Sequence, residues 1–322
     1  MEKKSSTKIS YVIPCYRSEK TLEAVVEEIR DTMTSLHEYA YEIILVNDCS
    51  PDDTFAVIRR LCAADKNIIG LDHAKNFGQH AALMAGFHFA SGDIIVCLDD
   101  DGQTPADEVD RLLAKIEEGY DVVYASYENK KHSAFRNIGS SVNKKMTEMM
   151  LGKPKELYLS SYFAAKRFVI DEMMKYQNAY PYVIGLVLRT TRNICNVKVN
   201  HRERMEGRSG YSLRKLIALW VNGFTSFSVM PLRIASYGGV FVAILGFMYA
   251  VYTIIAKIID PNRVIGWSSI IAILLILGGF ILIVLGMVGE YIGRIYISLN
   301  NSPQYVIRTV LNYEKDEKDH RQ

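Results

Sequence analysis

The sequence predicts an α/β protein. A Rossmann-like domain with a mostly parallel sheet comes first, followed by an interfacial helix and a two-helix transmembrane hairpin. Three observations predict it. Short apolar runs rich in β-branched residues alternate with helical patterns as far as residue 125. Two long stretches without a charged residue follow Arg233. An acidic triplet, Asp99-Asp100-Asp101, stands directly behind one of the apolar runs.

The runs at residues 9–13, 42–46, 68–71, 94–98 and 121–125 read as strands, and the segments 19–36, 54–64, 79–90 and 105–118 as the helices between them. Continuous rather than alternating apolar strands imply burial on both faces. Right-handed crossovers then give a doubly wound layer. Ser18 is placed to cap the first helix, and Pro105 to open the fourth, where a missing N–H costs nothing. Beyond residue 133 the pattern predicts a helix at 134–151, a strand near 157–164, helices at 167–175 and 180–190, and a strand at 194–199. Residues 212–230 mix apolar positions with Arg214, Lys215 and Trp220. They read as an amphipathic helix on a membrane surface or as a buried helix of the soluble domain.

Residues 234–256 and 264–289 carry no charge, and a helix of the first length spans about 35 Å, enough to cross a bilayer. Basic residues cluster on one side of this pair: Arg202, Arg204, Arg208, Arg214, Lys215 and Arg233 before it, Arg294 and Arg308 after it. The positive-inside rule therefore places the large domain and both termini in the cytoplasm. The expected division is a catalytic domain at 1–211, an interfacial helix at 212–232, the hairpin at 233–293 and a charged cytoplasmic tail at 294–322. The polar first ten residues hold no signal-peptide pattern.

Composition excludes several classes. A net charge of +2 gives no footprint for nucleic acid. The 5 cysteines, Cys15, Cys49, Cys62, Cys97 and Cys195, form no C-x-x-C pair, which argues against a zinc site or a disulfide framework. His73, His80 and His88 match a helical face only loosely and read as ordinary polar contacts.

The chemistry concentrates in Asp99-Asp100-Asp101-Gly102-Gln103. Ligands of an open parallel sheet bind beyond the carboxyl ends of its strands, and adjacent carboxylates demand a counter-charge. Asp99, Asp101 and the Gln103 amide are spaced so that alternate residues of an extended turn can face one hard divalent cation, Mg2+ or Mn2+. The plain alternative is a solvated acidic turn ahead of Pro105. Pro14, Cys15, Tyr16 and Glu19 end the first strand, and residues 47–54 follow the second. Those acceptors suit a nucleobase edge and a ribose, or simply an Asx turn.

The stretches IPCYRSEKTL, ILVNDCSPDDT, GDIIVCLDDDGQTP, KNFGQH, AGF and GEYIGRIY together resemble family-2 glycosyltransferases of the GT-A fold. The nearest likeness is to polyprenyl-phosphate sugar transferases, the group holding dolichol-phosphate mannose synthases, bactoprenol glucosyl transferases and undecaprenyl-phosphate 4-deoxy-4-formamido-L-arabinose transferases. The resemblance covers nearly the whole chain. It implies that Asp99, Asp101 and Gln103 hold the metal and diphosphate. It assigns Pro14, Tyr16, Glu19, Asp48, Asp99 and Asp100 to the nucleotide, and Arg136, Ser140, Arg204 and Ser209 to the lipid phosphate. Arg204, Gly207, Ser209 and Tyr211 match an element that closes over the site. Asp99, Asp101, Arg136 and Arg204 are then the catalytic set.

The implied partners are a nucleotide-sugar, with uridine favoured by the resemblance alone, polyprenyl (undecaprenyl) phosphate, membrane lipids and further copies of the chain in a homo-oligomer. The implied location is the bacterial inner membrane. Asp100, Gly102 and Ala106 depart from the D-A-D-L-Q-x-P-P pattern of the family. Gly210 stands where a lysine is common, and Tyr127 lies near the place of a frequent arginine. Two rival readings are a polysaccharide synthase and a catalytically inert membrane adaptor. Neither Trp220 nor Trp267 completes the Q-x-x-R-W motif of the synthases, and the intact acidic cluster argues against the adaptor.

Overall fold

The computed structural model describes residues 7–127, 154, 156–200, 230–259, 267–300 and 302–313. The chain divides into two compact units, Met1–Leu216 with Ser302–Gln322, and Ile217–Asn301.

The first unit is built on an 8-stranded sheet with the order β7-β5-β6-β4-β1-β2-β3-β8. Its strands are β1 (Lys8–Cys15), β2 (Ala40–Asn47), β3 (Ile68–His73), β4 (Ile94–Cys97), β5 (Val122–Tyr127), β6 (Phe163–Lys166), β7 (Ile194–Val199) and β8 (Ile307–Leu311). β1 lies parallel between β2 and β4, and β3 extends the parallel set. Burial explains the run of apolar residues: Ile9, Tyr11, Val12, Ile13, Ile43, Ile44, Leu45 and Val46 are all fully inaccessible. β6 is antiparallel to both β4 and β5, so the sheet is mixed.

Helices α1 (Leu22–Ser35), α2 (Thr54–Ala64), α3 (Gln79–Phe89) and α4 (Val109–Glu117) cover the faces. α1 buries Leu22, Val25, Val26, Ile29 and Met33, the three-and-four spacing of one helical face. α3 is apolar nearly all round because it lies against the sheet: a Cβ on Gly86 would stand 2.3 Å from Val12 Cγ1, so the close approach requires glycine. α5 (Arg167–Met174) and α6 (Val183–Thr190) complete the unit.

Among the described residues the expected strands and helices are present, α2 and β7 at their expected bounds and most others with shifted ends. α1 begins at Leu22 rather than at 19, and the expected strand at 157–164 is β6 at 163–166. Ser18 does not cap α1 with its side chain: its hydroxyl is taken by Asp100, while its carbonyl accepts the N–H groups of Thr21 and Leu22. Pro105 is extended and precedes a short 3-10 turn, Ala106–Glu108, instead of forming the first turn of α4. The segment expected to be a tail from 294 is helical to Leu299 and then supplies β8, antiparallel to β3. The expected helices at 134–151 and 212–230 fall on residues outside those described, apart from Met230, which opens the next helix.

In the second unit, α7 (Met230–Ile259) and α8 (Trp267–Leu299) are long and apolar enough to cross a membrane, with candidate spans Ala235–Ala256 and Ile276–Ile297 of hydropathy 2.2 and 2.0. A Cβ on Gly238 would lie 3.4 Å from the Phe280 ring, so α7 and α8 touch at that level.

At the amino end of the sheet, Glu42 is buried and accepts Lys8 Nζ at 2.6 Å, the Ser10 hydroxyl at 2.5 Å and the Ser91 N–H at 2.6 Å. This ties β1, β2 and the start of β4 together. Burial pushes its carboxyl up, but the bonds from Lys8, Ser10 and Ser91 outweigh burial and hold it below the ordinary value. The unfolded chain therefore binds the proton more tightly than the folded one. This stabilisation is complete above about pH 5 and fades as the pH falls through the carboxylate range. Glu42→Gln is expected to lower stability by roughly 1–3 kcal/mol at pH 7, with the gap narrowing toward pH 4. Chemical unfolding of both proteins across that range measures it, and a gap independent of pH would contradict the account.

Candidate active site

Three parallel neighbours, β2, β1 and β4, end on the same side of the sheet, and the loops that follow them are bonded into one cluster. Tyr16 N–H donates to Asp100 Oδ2 at 3.0 Å, and the Thr21 hydroxyl to the Asp100 carbonyl at 2.6 Å. Arg17 N–H donates to Ser50 Oγ at 2.7 Å, and Asp53 N–H to Glu19 Oε2 at 3.1 Å. Asp48 N–H reaches back to the Cys15 carbonyl at 3.0 Å. Arg17 and Cys49 hold φ of 61 and 52, a left-handed backbone that non-glycine residues adopt at some cost and that concentrates at functional loops.

Within this cluster the acidic triplet divides. Asp99 faces away from the β1 loop: its Oδ1 accepts Gln79 Nε2 at 3.0 Å and its Oδ2 accepts the Ser161 hydroxyl. Asp100 turns the opposite way and is tied by its Oδ2 to Tyr16 and Ser18. Asp101 Oδ1 accepts the Gln103 N–H at 3.1 Å, across a turn in which Gly102 has φ 71. Alternate residues of the triplet therefore serve different ends. Asp100, expected at the nucleotide, braces the loop after β1.

The glycosyl transferase family 2 model matches residues 10–175, and the GtrB C-terminal hairpin model matches 230–295. The undecaprenyl-phosphate 4-deoxy-4-formamido-L-arabinose transferase of Proteus mirabilis (strain HI4320) is 35% identical over 315 residues, 97% of this chain and 96% of that protein. This chain belongs to glycosyltransferase family 2. The uncharacterized glycosyltransferase YkcC of Bacillus subtilis (strain 168) is 32% identical over 300 residues, 93% of each chain. A crystal structure of glucosyl-3-phosphoglycerate synthase from Mycobacterium tuberculosis with phosphoglyceric acid has 21% identity and a TM-score of 0.48, covering 63% of this chain and 73% of that one.

In this glycosyltransferase, burial pushes the Asp99 carboxyl up to about 6, and the negative charges of Asp101 and Asp100 add to the rise against the bonds from Ser161 and Gln79. A cation at this point would relieve that strain on the ionised form. Among the described residues no three His, Cys, Asp or Glu side chains gather as a ready cage. Two carboxylates and one amide nevertheless fit Mg2+ or Mn2+, which commonly take one or two carboxylates and complete their shell with phosphate oxygens and water.

Asp48, expected in the nucleotide pocket, is 3% exposed and has both carboxylate oxygens engaged inside the protein. Oδ1 accepts His73 Nδ1–H at 2.9 Å and Phe77 N–H at 2.8 Å, and Oδ2 accepts Gly78 N–H at 2.8 Å. Tyr16 is 46% exposed and available to a ligand, whereas Glu19 bridges to the loop after β2.

Residues the sequence reading did not select also reach the site. Ser161 touches Asp99 directly, and the Tyr127 and Tyr158 rings meet edge to face at 6.4 Å. Burial raises the Tyr127 hydroxyl above its ordinary value, and Asp99 lies close enough to add to the rise. No motif spacing points to Ser161 or Tyr158, which arrive from the approach to β6, whereas Tyr127, near the place of a frequent family arginine, ends β5. Arg136, Ser140, Arg204, Gly207, Ser209 and Tyr211 lie outside the described residues.

The raised Asp99 carboxyl carries a stability consequence in the metal-free protein. The folded state binds this proton more tightly than the unfolded state, so the stabilisation is present below the unfolded value near 3.9 and lost as pH rises through about 6. Asp99→Asn removes the charge. Its melting temperature in chelator is expected to exceed the wild-type value by about 2–4 °C at pH 7.5, with the two converging near pH 4. Thermal unfolding at both pH values checks this, and an Asn variant no more stable at pH 7.5 would refute the charge penalty.

Proposed function

We propose that this glycosyltransferase moves a sugar from a nucleotide-sugar, UDP-linked, to the phosphate of a polyprenyl lipid at the cytoplasmic face of the bacterial inner membrane. The observation that carries the reading is the placement of the acidic triplet just beyond β4, with Asp99 bonded to Gln79 and Ser161 and Asp100 to the loop after β1, in a chain that also holds a long apolar helix pair. The proposed catalytic domain runs over 1–211, with the interfacial segment at 212–232 and the hairpin at 233–293. Several copies are proposed to associate through the hairpins among membrane lipids. The Proteus mirabilis relative is named for transfer to undecaprenyl phosphate, and the same acceptor class is proposed here.

The donor is held on the loops after β1 and β2, with Tyr16 exposed to meet a base and Pro14, Glu19 and Asp48 shaping the wall behind it. Asp99, Asp101 and Gln103 would hold Mg2+ or Mn2+, which when bound would supply positive charge to stabilise the leaving diphosphate. The acceptor phosphate is already ionised near pH 7, so no side chain has to remove a proton from it. This agrees with carboxylates that serve as ligands and braces rather than as bases. Arg136 and Arg204, with Ser140 and Ser209, bring the second phosphate close to the first by planar guanidinium pairing and hydrogen bonds. The acceptor oxygen attacks the anomeric carbon as the bond to the nucleoside diphosphate breaks. That bond's electron pair leaves with the diphosphate, and configuration inverts.

Two outcomes test the proposal. Labelled UDP-sugars incubated with short-chain polyprenyl phosphate should give a lipid-linked sugar only with Mg2+ or Mn2+. Asp101→Ala should then lower the rate by about 10²-fold or more while leaving the melting temperature within a few degrees. Transfer that persists in chelator, or in Asp101→Ala, defeats the metal reading. NMR of the product from an α-linked donor should show a β-linked sugar phosphate, and retained configuration would exclude in-line attack.

A further inference from the structure

β8 does more than cover an edge. Gln304 Nε2 donates to the Tyr176 carbonyl at 2.5 Å, and Ala74 N–H to the Val306 carbonyl at 2.8 Å. Arg308 donates to the Ala74 carbonyl at 2.9 Å and lies 3.6 Å from Asp72. Asn312, with φ 57, donates to the carbonyls of Cys62, Asp65 and Ile68 at 2.5, 3.2 and 3.1 Å, closing the end of α2. A strand that only blunts an edge needs few such side-chain anchors.

Just before β8, the Tyr305 ring stacks on the His73 imidazole, with centroids 5.8 Å apart and planes 7° from parallel. Phe77 closes the imidazole edge-on at 5.5 Å. His73 is completely buried. Its Nε2 has no partner among the described residues, so the proton belongs on Nδ1, which donates to Asp48. The same carboxylate collects the N–H groups of Phe77 and Gly78, and the Asp48 carbonyl accepts Asn76 Nδ2 at 3.1 Å. Residues 76–78 thus wrap around one buried carboxylate. Gly78, with φ 90, makes the turn into α3, whose first residue, Gln79, donates to Asp99. An apolar side chain would fill the place of His73 without burying an orphan nitrogen, so what the imidazole adds is the Nδ1–H donor.

We propose that Tyr305 and His73 are positioning residues for sugar transfer. The segment following the hairpin, by clamping His73 against Asp48, fixes the 76–79 turn and hence the Gln79 amide that orients Asp99. The proposal rests on the reading of Asp99 as part of the transfer site. It makes the segment Ser302–Tyr313 a support of that site.

The test uses the full-length protein in detergent, with Tyr305→Leu, His73→Leu, His73→Asn and the double Leu variant. Asn keeps a donor near the position of Nδ1. Hydrogen exchange of the Phe77 and Gly78 amides, followed without metal or donor, is expected to quicken about tenfold in either Leu variant, with little change in the core strands. The Mn2+ concentration for half-maximal transfer is expected to rise about 5–20-fold, His73→Asn to recover most of both effects, and the double variant to match His73→Leu alone. Unchanged exchange in both Leu variants, an Asn variant no better than Leu, or effects that simply add would overturn the proposal. Should His73→Leu unfold the domain, the partly exposed Tyr305→Leu decides alone. A wild type that transfers no sugar under any donor would sink the functional reading, while the exchange data still decide the coupling.

Discussion

Three successive carboxylates at the mouth of a buried strand are the constraint around which the catalytic unit is arranged. Like charges this close cannot all stay ionised in a poorly solvated place unless something opposes them. The protein separates them in space. Asp100 swings to the loop after β1 and is met by a backbone N–H and a hydroxyl. Asp101 closes its own turn through the Gln103 N–H. Asp99 is more deeply buried than Asp100, and the donors that meet it among the described residues, Gln79 and Ser161, are neutral. The loops after β1 and β2 owe much of their shape to this arrangement, since Asp100 and Asp48 act as the posts on which they are hung.

The parts of this architecture that were legible in sequence are those that one chain segment decides by itself. Strands buried on both faces read as continuous apolar runs, so β1 to β5 were found. α2 was placed at its observed bounds because its apolar positions, Val57, Ile58, Leu61 and Cys62, recur at helical spacing between two strand-like runs. The hairpin helices were visible because lipid demands an uncharged run that a soluble core rarely contains. β8 was not visible. Its five residues alternate between half-covered and exposed, and its partner β3 lies far earlier in the chain, so no local period announces the pairing. Ser18 shows a different failure. As a residue preceding a helix it satisfies every rule for a cap, yet Asp100, distant in sequence, competes for its hydroxyl and wins.

Asp48 shows how a residue picked out by its place after β2 is used within the fold. Its carboxylate spends its lone pairs on His73, Phe77 and Gly78, so it organises the wall of the pocket from behind. Of the backbone N–H groups it gathers, that of Gly78 is among those that the start of α3 leaves without an intrahelical partner. The Asp48 side chain thus joins the turn before α3 to the loop after β2. That same turn presents Gln79 to Asp99 from the opposite side of the sheet end. The loop after β2 and the acidic turn after β4 are therefore joined through one stretch of backbone, residues 76–79.

The antiparallel β6 explains why the site is richer than a purely parallel sheet would allow. In a doubly wound sheet every strand leaves at the ligand side, and only the loops that follow strands can furnish side chains. β6 runs the other way between β4 and β5, with Phe163 paired to Cys97 and to Tyr124. Its first residue therefore sits at the same end as the last residues of β4 and β5. The residues leading into it, Tyr158 through Tyr162, must approach the sheet from the ligand side. Ser161 reaches Asp99 for this reason, and Tyr158 meets Tyr127 there at the end of β5. Had β6 been parallel, those residues would have entered at the opposite edge, beside the Lys8–Glu42 pair, and Asp99 would have lost the hydroxyl that shares its burial. One reversed strand thus brings hydroxyl and aromatic groups, Ser161 and the Tyr127–Tyr158 pair, to the end of the sheet where Asp99 stands.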